Sequence, residues 1–490
     1  MTRKNIRFPL SIEQSRPGHT GFSLPSKTIG AVNEIPENLR RKSTPGLPEL
    51  SELQVVRHFT NLSTANYSID SGMYPLGSCT MKYNPRINEK TASNPKFLNI
   101  HPRTPDKFAQ GCMSLMYELQ MCLKEISGFE QISLQPAAGA QGEYVGIRMI
   151  RAYHDLKGNH KKTKILIPES AHGTNCATAV MCGYQVVPVK ANERGILSLE
   201  TIKEHCAAGD IAGIMITNPN TVGLFEEDIV KIAKHLHEVD ALVYCDGANL
   251  NAKLGLTRPG DAGVDVMHFN LHKTFTTPHG GGGPGCGAVG VSARLQPHLP
   301  TPILLKKSDG SFEWDTNRPS SIGSIKDYNG HFLMMVRALT YIRELGPEGI
   351  RKISRDAILL ANYVRVRLGE AYHVAFERPC MHEVVLSDKK QKGHGVKTID
   401  IAKRLIDLGI HPPTIYFPLI VDGAIMIEPT ETESLEEVEN FCLKMLQIAA
   451  EAEESDAFAK YFAGAPKTTP TTRINETKAA RDLVLSWKEL

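Results

Sequence analysis

The sequence lacks any apolar run that approaches the about 18 residues needed to span a bilayer. It also lacks a strong excess of either charge, because its 490 residues carry a formal net charge of only +3. A balance this close to neutral does not favour binding to nucleic acid or to an anionic membrane surface. We therefore expect neither a nucleic-acid partner nor a membrane partner.

The ten cysteines include no Cys-x-x-Cys pair, and several lie in apolar segments. This pattern is typical of reduced, intracellular thiols that serve as small hydrophobic side chains. The sequence therefore predicts neither a disulfide framework nor a metal site. The basic start, Met1 to Phe8, has no apolar core behind it, so a secretory signal is not predicted.

Proline is frequent in the first part of the chain, where residues 1 to about 70 are also rich in Ser and Arg. Prolines at this density interrupt any long helix or strand. We interpret residues 1–70 as an extended N-terminal arm with one short helix over 49–59. A disordered segment is the alternative interpretation.

From about residue 105, short apolar strands alternate with helical stretches. Strands that are apolar throughout and separated by helices are typical of a mostly parallel sheet covered on both faces. The sequence therefore predicts a large α/β domain over 71–330, with its ligand site outside the carboxyl ends of the strands. The predicted strands are 164–167, 185–189, 213–217, 241–245, 264–269 and 287–291, and the helices between them include 195–207 and 225–239.

A helical region over about 328–369 is predicted to lead from the large domain into a smaller one. We predict an α+β domain over 331–455 and then a polar tail over 456–490, with a last helix near 475–488. The predicted small-domain strands lie near 372–376, 383–387 and 424–428, and its helices near 397–409 and 433–452.

A lysine and an aspartate carry the main chemical signal. Lys273 precedes a run of glycines, Gly280 to Gly283, and Asp246 ends an apolar strand upstream. An enzyme that uses pyridoxal phosphate (PLP) needs a lysine for the Schiff base and an acidic partner for the pyridinium nitrogen. Lys273 and Asp246 therefore predict a PLP site, and Ala248 is expected to lie under the cofactor ring. The alternatives are an exposed loop lysine and a helix N-cap aspartate.

Small residues fill the loop that precedes the helical stretch near residue 140. At Gly139, Ala140 and Gln141 the backbone can approach an anion closely, and the first amides of a helix point at such a ligand. We predict that this loop holds the cofactor phosphate. A simple small-residue turn at a helix start is the alternative.

Three histidines and an asparagine complete the predicted site. His172 follows a strand and is expected to stack on the cofactor ring, with a structural histidine as the alternative. Asn218, just after Thr217, is expected to hydrogen-bond the phenolic oxygen of the cofactor, and an Asn-Pro-Asn turn is an equal alternative. His272 is expected to orient a phosphate or assist proton transfer, and His279 beside the glycine run is assigned to cofactor binding.

Six segments together resemble the glycine cleavage system P-protein family. The segments are Pro75–Lys82, Gln135–Glu143, His172–Asn175, Asp246–Asn249, His272–Gly285 and Glu428–Ser434. The resemblance extends from about residue 55 to about residue 455. The fused form of the family contains two homologous halves, and this chain resembles the C-terminal, lysine-bearing half, as in subunit 2 of the two-subunit type.

The resemblance implies a fold-type I PLP fold, like that of aspartate aminotransferase. It also implies a reaction in which glycine loses carbon dioxide and the aminomethyl group passes to the lipoyl arm of H-protein. In this reaction Lys273 would be the Schiff-base lysine, Asp246 the pyridinium partner and His172 the stacking residue. The expected partners are subunit 1 (two copies of each subunit), lipoylated H-protein, and the T-protein and L-protein of the same pathway. The expected location is the cytoplasm of a bacterium or an archaeon.

Two alternatives remain at this point. The first is another fold-type I PLP enzyme, such as an aminotransferase or a lyase, although no convincing carboxylate-binding arginine is found in the small domain. The second is a non-catalytic half that has lost its cofactor. The presence of Lys273, Asp246 and His172 argues against the second alternative.

Overall fold

The computed structural model describes residues 8–23, 35–43, 45–280 and 285–483. The chain divides into two compact units. One consists of Met1–Ser71 together with Gly464–Leu490, and the other of Gly72–Ala463.

The first unit contains one longer helix, Glu52–Ala65, which begins and ends later than predicted. Its start is fixed by a capping box, because the Ser51 hydroxyl accepts the Gln54 N–H while the Gln54 side chain accepts the Ser51 N–H. The predicted last helix is shorter than expected and spans Glu476–Arg481. Its predicted end, residues 484–488, lies outside the described residues. Short 3-10 turns span Ile12–Gln14 and Glu37–Leu39.

The second unit is built on a seven-stranded sheet with strand order β1-β7-β6-β5-β4-β2-β3. The strands are β1 (Gln131–Ser133), β2 (Lys164–Pro168), β3 (Gln185–Val189), β4 (Ile211–Thr217), β5 (Leu242–Asp246), β6 (Val266–Asn270) and β7 (Gly287–Val291). Neighbours from β3 through β6 pair in parallel, whereas β7 is antiparallel to both β6 and β1. The predicted mostly parallel sheet is therefore confirmed.

Both faces of this sheet are covered. Along β4, Ile214 and Ile216 belong to one hydrophobic core, while Met215 between them belongs to another. Side chains alternate between the faces of a strand, so each face has its own core. The helices of this part are Arg86–Ala92, Pro95–Leu98, Asp106–Ser127, Gly139–Leu156, Gly173–Met181, Leu199–Cys206 and Ile229–Glu238, with 3-10 turns at Gly247–Ala252, Gln296–His298 and Asp327–Asn329.

A four-stranded antiparallel sheet follows in the C-terminal part, and it has a hydrophobic core of its own. Its strands in spatial order are His373–Val374, Val384–Ser387, Ala424–Ile427 and Thr414–Ile415. The helices are Phe332–Leu368, Lys389–Lys392, Thr398–Asp407 and Leu435–Glu453, with a π-helical turn at Phe458–Phe462. The long helix Phe332–Leu368 is interrupted at Gly346, whose φ is 61° and which precedes Pro347.

Four strands of this unit were not predicted: β1, Thr414–Ile415, and the two strands of a hairpin, Ile303–Lys306 and Phe312–Asp315. Each strand has four residues or fewer, too few for a periodic pattern to stand out. Among the described residues, no helix combines the length and the apolarity that crossing a bilayer requires.

Candidate active site

The carboxyl ends of β4 and β5 open onto a cavity of about 230 Å³. Seven of the predicted residues line it: Gly139, Ala140, His172, Asp246, Ala248, His272 and Lys273. They come from four separate segments of the chain. These segments meet because adjacent parallel strands end at the same sheet edge and the loops that follow them converge there.

Lys273 lies in the tight turn that follows β6. The turn closes when the Lys273 N–H donates to the Asn270 carbonyl at 3.0 Å. The lysine side chain is half-buried, and its Nζ donates to the Ser78 carbonyl at 2.8 Å. Lys273 is therefore not a solvated surface lysine, because its amine is held within the cavity by the backbone of a distant segment.

Asp246, the last residue of β5, is buried. Burial alone would raise the pKa of this carboxyl, but His268, Lys273 and the Ala248 N–H hold the pKa below its usual value. The Ala248 N–H donates to Oδ1 at 2.9 Å, and the Asn175 amide donates to Oδ2 at 3.3 Å. Asp246 is therefore an ionised carboxylate inside the fold, as a partner of a positive group must be.

His268 supports Asp246 from within the sheet. Its Nε2 lies 3.4 Å from Oδ1 of Asp246, and its Nδ1 lies 2.5 Å from the Tyr244 hydroxyl. Burial lowers the pKa of His268, so the ring is neutral. The network then assigns the proton to Nε2, with Nδ1 accepting from Tyr244. Sequence reasoning missed His268, although a histidine within an otherwise apolar strand is a signal that could have identified it.

Glu143 is a second buried carboxyl that sequence reasoning missed. Burial first, and then the nearby Asp246, raise the pKa of Glu143 to about 7. Its two oxygens lie 2.8 Å from the Thr174 hydroxyl and 2.9 Å from the Asn175 amide. The same Thr174 hydroxyl lies 2.7 Å from Nδ1 of His172. Glu143 is thus linked to the exposed His172 ring through one hydroxyl.

The helix Gly139–Leu156 begins at the cavity, as predicted for a phosphate seat. A Cβ added at Gly139 would lie 2.7 Å from the Asn270 amide nitrogen, so the position requires glycine. Gln141 does not line the cavity. Its Oε1 accepts the Ala137 N–H at 2.7 Å and its Nε2 donates to the Ile325 carbonyl, so the side chain braces the loop from behind.

His272 lines the cavity and donates from Nδ1 to the Cys286 carbonyl at 3.1 Å. Burial lowers the pKa of His272 to about 4, so the ring is neutral and Nε2 can accept a hydrogen bond. His279 is not part of the lining, and its ring centroid lies 5.1 Å from that of His272. The glycines Gly281 to Gly283 lie outside the described residues.

Asn218 also does not line the cavity. Its Oδ1 accepts the Glu226 N–H at 3.1 Å, which turns the amide away from the site. The neighbouring Thr217 lines the cavity instead, and its buried Oγ1 has no hydrogen-bond partner among the described residues. At this strand end, Thr217 faces the cavity and Asn218 does not, because neighbouring residues of a strand point in opposite directions.

The residues present fit PLP. The cavity offers an amine at Lys273, an ionised carboxylate at Asp246, an exposed imidazole at His172 and a glycine-lined helix start. Two further buried atoms that lack a partner in the described structure, Thr217 Oγ1 and Asn270 Oδ1, belong to residues of the lining. Unpaired polar atoms are costly to bury, so they indicate a polar ligand.

Solved structures show the same fold. A glycine decarboxylase (P-protein) of the glycine cleavage system, in inhibitor-bound form, superimposes with a TM-score of 0.71 at 18% identity, covering 84% of this chain and 93% of that one. A cysteine desulfurase from Thermococcus onnurineus NA1 gives a TM-score of 0.60 at 16% identity, covering 78% and 95%. The fold and the cavity together define a fold-type I PLP-dependent enzyme.

The family follows from sequence comparison. The family described as glycine cleavage system P-protein matches residues 24–311, and that described as glycine dehydrogenase, C-terminal domain, matches residues 353–461. A relative from Listeria monocytogenes serotype 4a (strain HCC23), named probable glycine dehydrogenase (decarboxylating) subunit 2, is 52% identical over 98% of both chains. A relative of the same name from Halalkalibacterium halodurans is 51% identical over 98% of both chains. The chain belongs to the glycine cleavage system P-protein family.

Proposed function

We propose that this chain is the lysine-bearing subunit of a glycine decarboxylase. It binds PLP, removes carbon dioxide from glycine, and passes the aminomethyl group to the lipoyl arm of H-protein. The observation that carries the proposal is that Lys273 and the ionised Asp246 face the same cavity of about 230 Å³. Membership of the P-protein family narrows the chemistry from PLP enzymes in general to glycine decarboxylation.

When bound, PLP supplies an electron sink for the electron pair that remains when the carboxylate leaves. Asp246 would pair with the ring nitrogen. Because its pKa is lowered, the carboxylate stays ionised and would stabilise the proton on that nitrogen. His172, which is exposed at the rim, would lie over the ring, with Ala248 beneath it. The first amides of the helix Gly139–Leu156 would hold the phosphate.

We also propose roles for Thr217 and His272. The unpartnered Thr217 hydroxyl would donate to an oxygen of the cofactor, the task that sequence reasoning had given to Asn218. His272 keeps Nδ1–H on the Cys286 carbonyl, which leaves Nε2 as an acceptor near Lys273. Nε2 would therefore act as a hydrogen-bond acceptor that orients a donor group in the cavity.

Its relatives are named as subunit 2, so we propose that the chain works with a subunit 1, two copies of each forming the complex. Lipoylated H-protein would be the second substrate, and T-protein and L-protein would act in the same pathway. Residues of the 74–84 segment would form a wall of the lipoyl path. The proposed location is the cytoplasm.

The test is exchange of labelled bicarbonate into the carboxyl group of glycine. The complex of this chain, subunit 1 and lipoylated H-protein is loaded with PLP, and we expect glycine-dependent exchange that is lost in Lys273→Ala. A PLP-loaded complex that shows no exchange, but converts an amino acid and a keto acid by transamination, would contradict the proposal and favour an aminotransferase.

A further inference from the structure

Two buried glutamates flank strands of the four-stranded sheet, which we call the small sheet, and they have no task in the proposed reaction. Glu383 precedes the strand Val384–Ser387, and Glu428 follows the strand Ala424–Ile427. Glu383 is 0% exposed and Glu428 is 1% exposed. An oxygen of each carboxyl and a ring nitrogen of His382 lie within 4.8 Å of one another. Charged groups this deep are costly unless they are paired or hydrogen-bonded, so their hydrogen-bond partners indicate what they do.

Both carboxyls bind the backbone of one short stretch, Ser78 to Thr80. Oε2 of Glu383 accepts the Ser78 N–H at 2.9 Å, and Oε2 of Glu428 accepts the Thr80 N–H at 3.0 Å. Oε1 of Glu428 also accepts the Thr80 hydroxyl at 2.7 Å. The stretch belongs to neither a helix nor a strand, so these side chains replace the partners that secondary structure would supply.

The backbone held in this way is strained. Ser78 has a φ of 66° and Thr80 a φ of 50°, and neither residue is glycine. A β-branched residue such as Thr80 rarely adopts this left-handed conformation unless its surroundings impose it. The hydrogen bonds to Glu383 and Glu428 are the feature that fixes it.

This conformation directs one carbonyl at the reactive lysine. The Ser78 carbonyl accepts the Lys273 Nζ at 2.8 Å, while the Ser78 N–H is held by Glu383. The same segment is anchored on both sides, because the Gly77 carbonyl accepts the Thr414 hydroxyl and Lys82 forms an ion pair with Glu431 at 2.6 Å. Ser78 thus belongs to a segment that is bound to the small sheet, and its carbonyl contacts Lys273 in the turn after β6.

We propose that Glu383 and Glu428 act together as a positioning pair that holds the Ser78 carbonyl against the Lys273 amine, which keeps this amine in the cavity whenever it is not bonded to the cofactor. The inference rests on the proposed function for its catalytic consequence. The positioning itself is a property of the chain alone. Burial raises the pKa values of both carboxyls, and Glu428 raises that of Glu383 further, whereas the hydrogen bonds accepted from Ser78 and Thr80 act in the opposite direction.

Substitutions can show whether Glu383 and Glu428 act as hydrogen-bond acceptors or through their charge. Glu383→Gln and Glu428→Gln each keep an oxygen that can accept a backbone N–H, whereas Glu383→Leu and Glu428→Leu remove it. Glu433→Gln is the matched control, because Glu433 lies five residues after Glu428 and the described side-chain hydrogen bonds to Ser78 and Thr80 come from Glu383 and Glu428.

Two measurements on the full-length chain, with and without PLP, test the proposal independently of glycine turnover. Amide hydrogen exchange reports on Ser78 and Thr80, and peptide mapping after brief treatment with an acylating reagent reports on the Lys273 amine. In the leucine variants we expect the two amides to exchange about ten-fold faster and Lys273 in the PLP-free chain to be acylated several-fold faster. The glutamine variants and Glu433→Gln should behave like the wild type.

Leucine variants with wild-type exchange and acylation would overturn the proposal. Glutamine variants that change as much as the leucine variants would also overturn it, because charge and not acceptance would then matter. If the leucine variants do not fold, the wild type still tests the proposal. Its Ser78 and Thr80 amides must be protected from exchange, and unprotected amides would show that Glu383 and Glu428 do not hold this stretch. A wild-type complex without glycine exchange would contradict the proposed function and leave these results interpretable.

Discussion

The hydroxyl of Thr174 lies between His172 and Glu143, and it can donate only one hydrogen bond. Nδ1 of His172 accepts the Thr174 backbone N–H at 3.3 Å and therefore carries no proton. If Glu143 is ionised, the Thr174 hydroxyl donates to the carboxylate. If Glu143 is protonated, it donates to the Thr174 hydroxyl, which then donates to Nδ1. The proton on Glu143 therefore determines whether the hydroxyl donates to His172 or to the carboxylate.

At the residue scale, the first prediction concerns Glu143→Gln. The pKa of Glu143 in the fold is raised to about 7, above its ordinary value, so stability is present at low pH and lost as the pH rises through 7. Between about pH 6 and pH 8 the wild type should lose about 1 kcal/mol that Glu143→Gln retains. Denaturant midpoints of both proteins at the two pH values check this. Parallel loss in the two proteins would show that Glu143 does not titrate there.

Thr217→Val is the second prediction at this scale. The substitution keeps the shape of the side chain and removes a buried hydroxyl that has no partner among the described residues. We expect the PLP-free chain to be unchanged or more stable by up to about 1 kcal/mol, while the affinity for PLP falls about ten-fold. Equilibrium titration with PLP measures the affinity. Thr178→Val, at a buried helix position outside the cavity lining, is the control and should leave the affinity unchanged.

At the scale of single elements, the start of the helix Gly139–Leu156 depends on the absence of a side chain. The Asn270 and His268 side chains lie directly against Gly139. A Cβ added at Gly139 would lie 2.7 Å from Asn270 and 3.1 Å from His268. Both neighbours are buried on or at the end of β6, so they have little freedom to move. The helix start and the strand beneath it therefore fit together only while residue 139 lacks a side chain.

Gly139→Ala is the corresponding prediction. Overpacking against Asn270 and His268 should cost about 1–3 kcal/mol, and PLP binding should weaken more than ten-fold because the first amides shift. The matched control is Gly173→Ala, which also changes the first residue of a helix but would have no atom within 4 Å of its Cβ. Unfolding and PLP titration measure both effects. Equal effects in the two variants would show that the close contacts of Gly139 with Asn270 and His268 do not matter for PLP binding.

At the scale of the whole molecule, sequence reasoning identified much of the fold and part of the site. The strands ending at Thr217 and Asp246 were predicted because buried parallel strands are apolar along their whole length. The local backbone direction determines which polar residue at the end of a strand faces the cavity, and the sequence does not show this direction. For this reason Asn218 was predicted to face the cavity, whereas Thr217 lines it. Glu383 and Glu428 come together only through the pairing of two distant strands, which no local pattern reveals.

The buried ion pair of Lys82 and Glu431 supplies a prediction at this scale. The Lys82 amine also donates to the Thr274 carbonyl at 2.9 Å, next to the reactive lysine. Lys82→Met leaves Glu431 without its partner and should destabilise the chain by about 3–5 kcal/mol. Lys82→Met combined with Glu431→Gln should be less destabilised than the sum of the single variants. Additive losses in chemical unfolding would show that the two groups are not coupled.

The segment from Pro75 to Lys82 precedes the large sheet in the chain, yet its bridge to Ile427 and its close approach to Met426 make it an edge of the small sheet. The boundary between the two halves of the site therefore does not follow the order of the sequence. A chimera that exchanges the C-terminal domain with that of a relative should keep a correctly placed lysine only if residues 75–82 are exchanged with it.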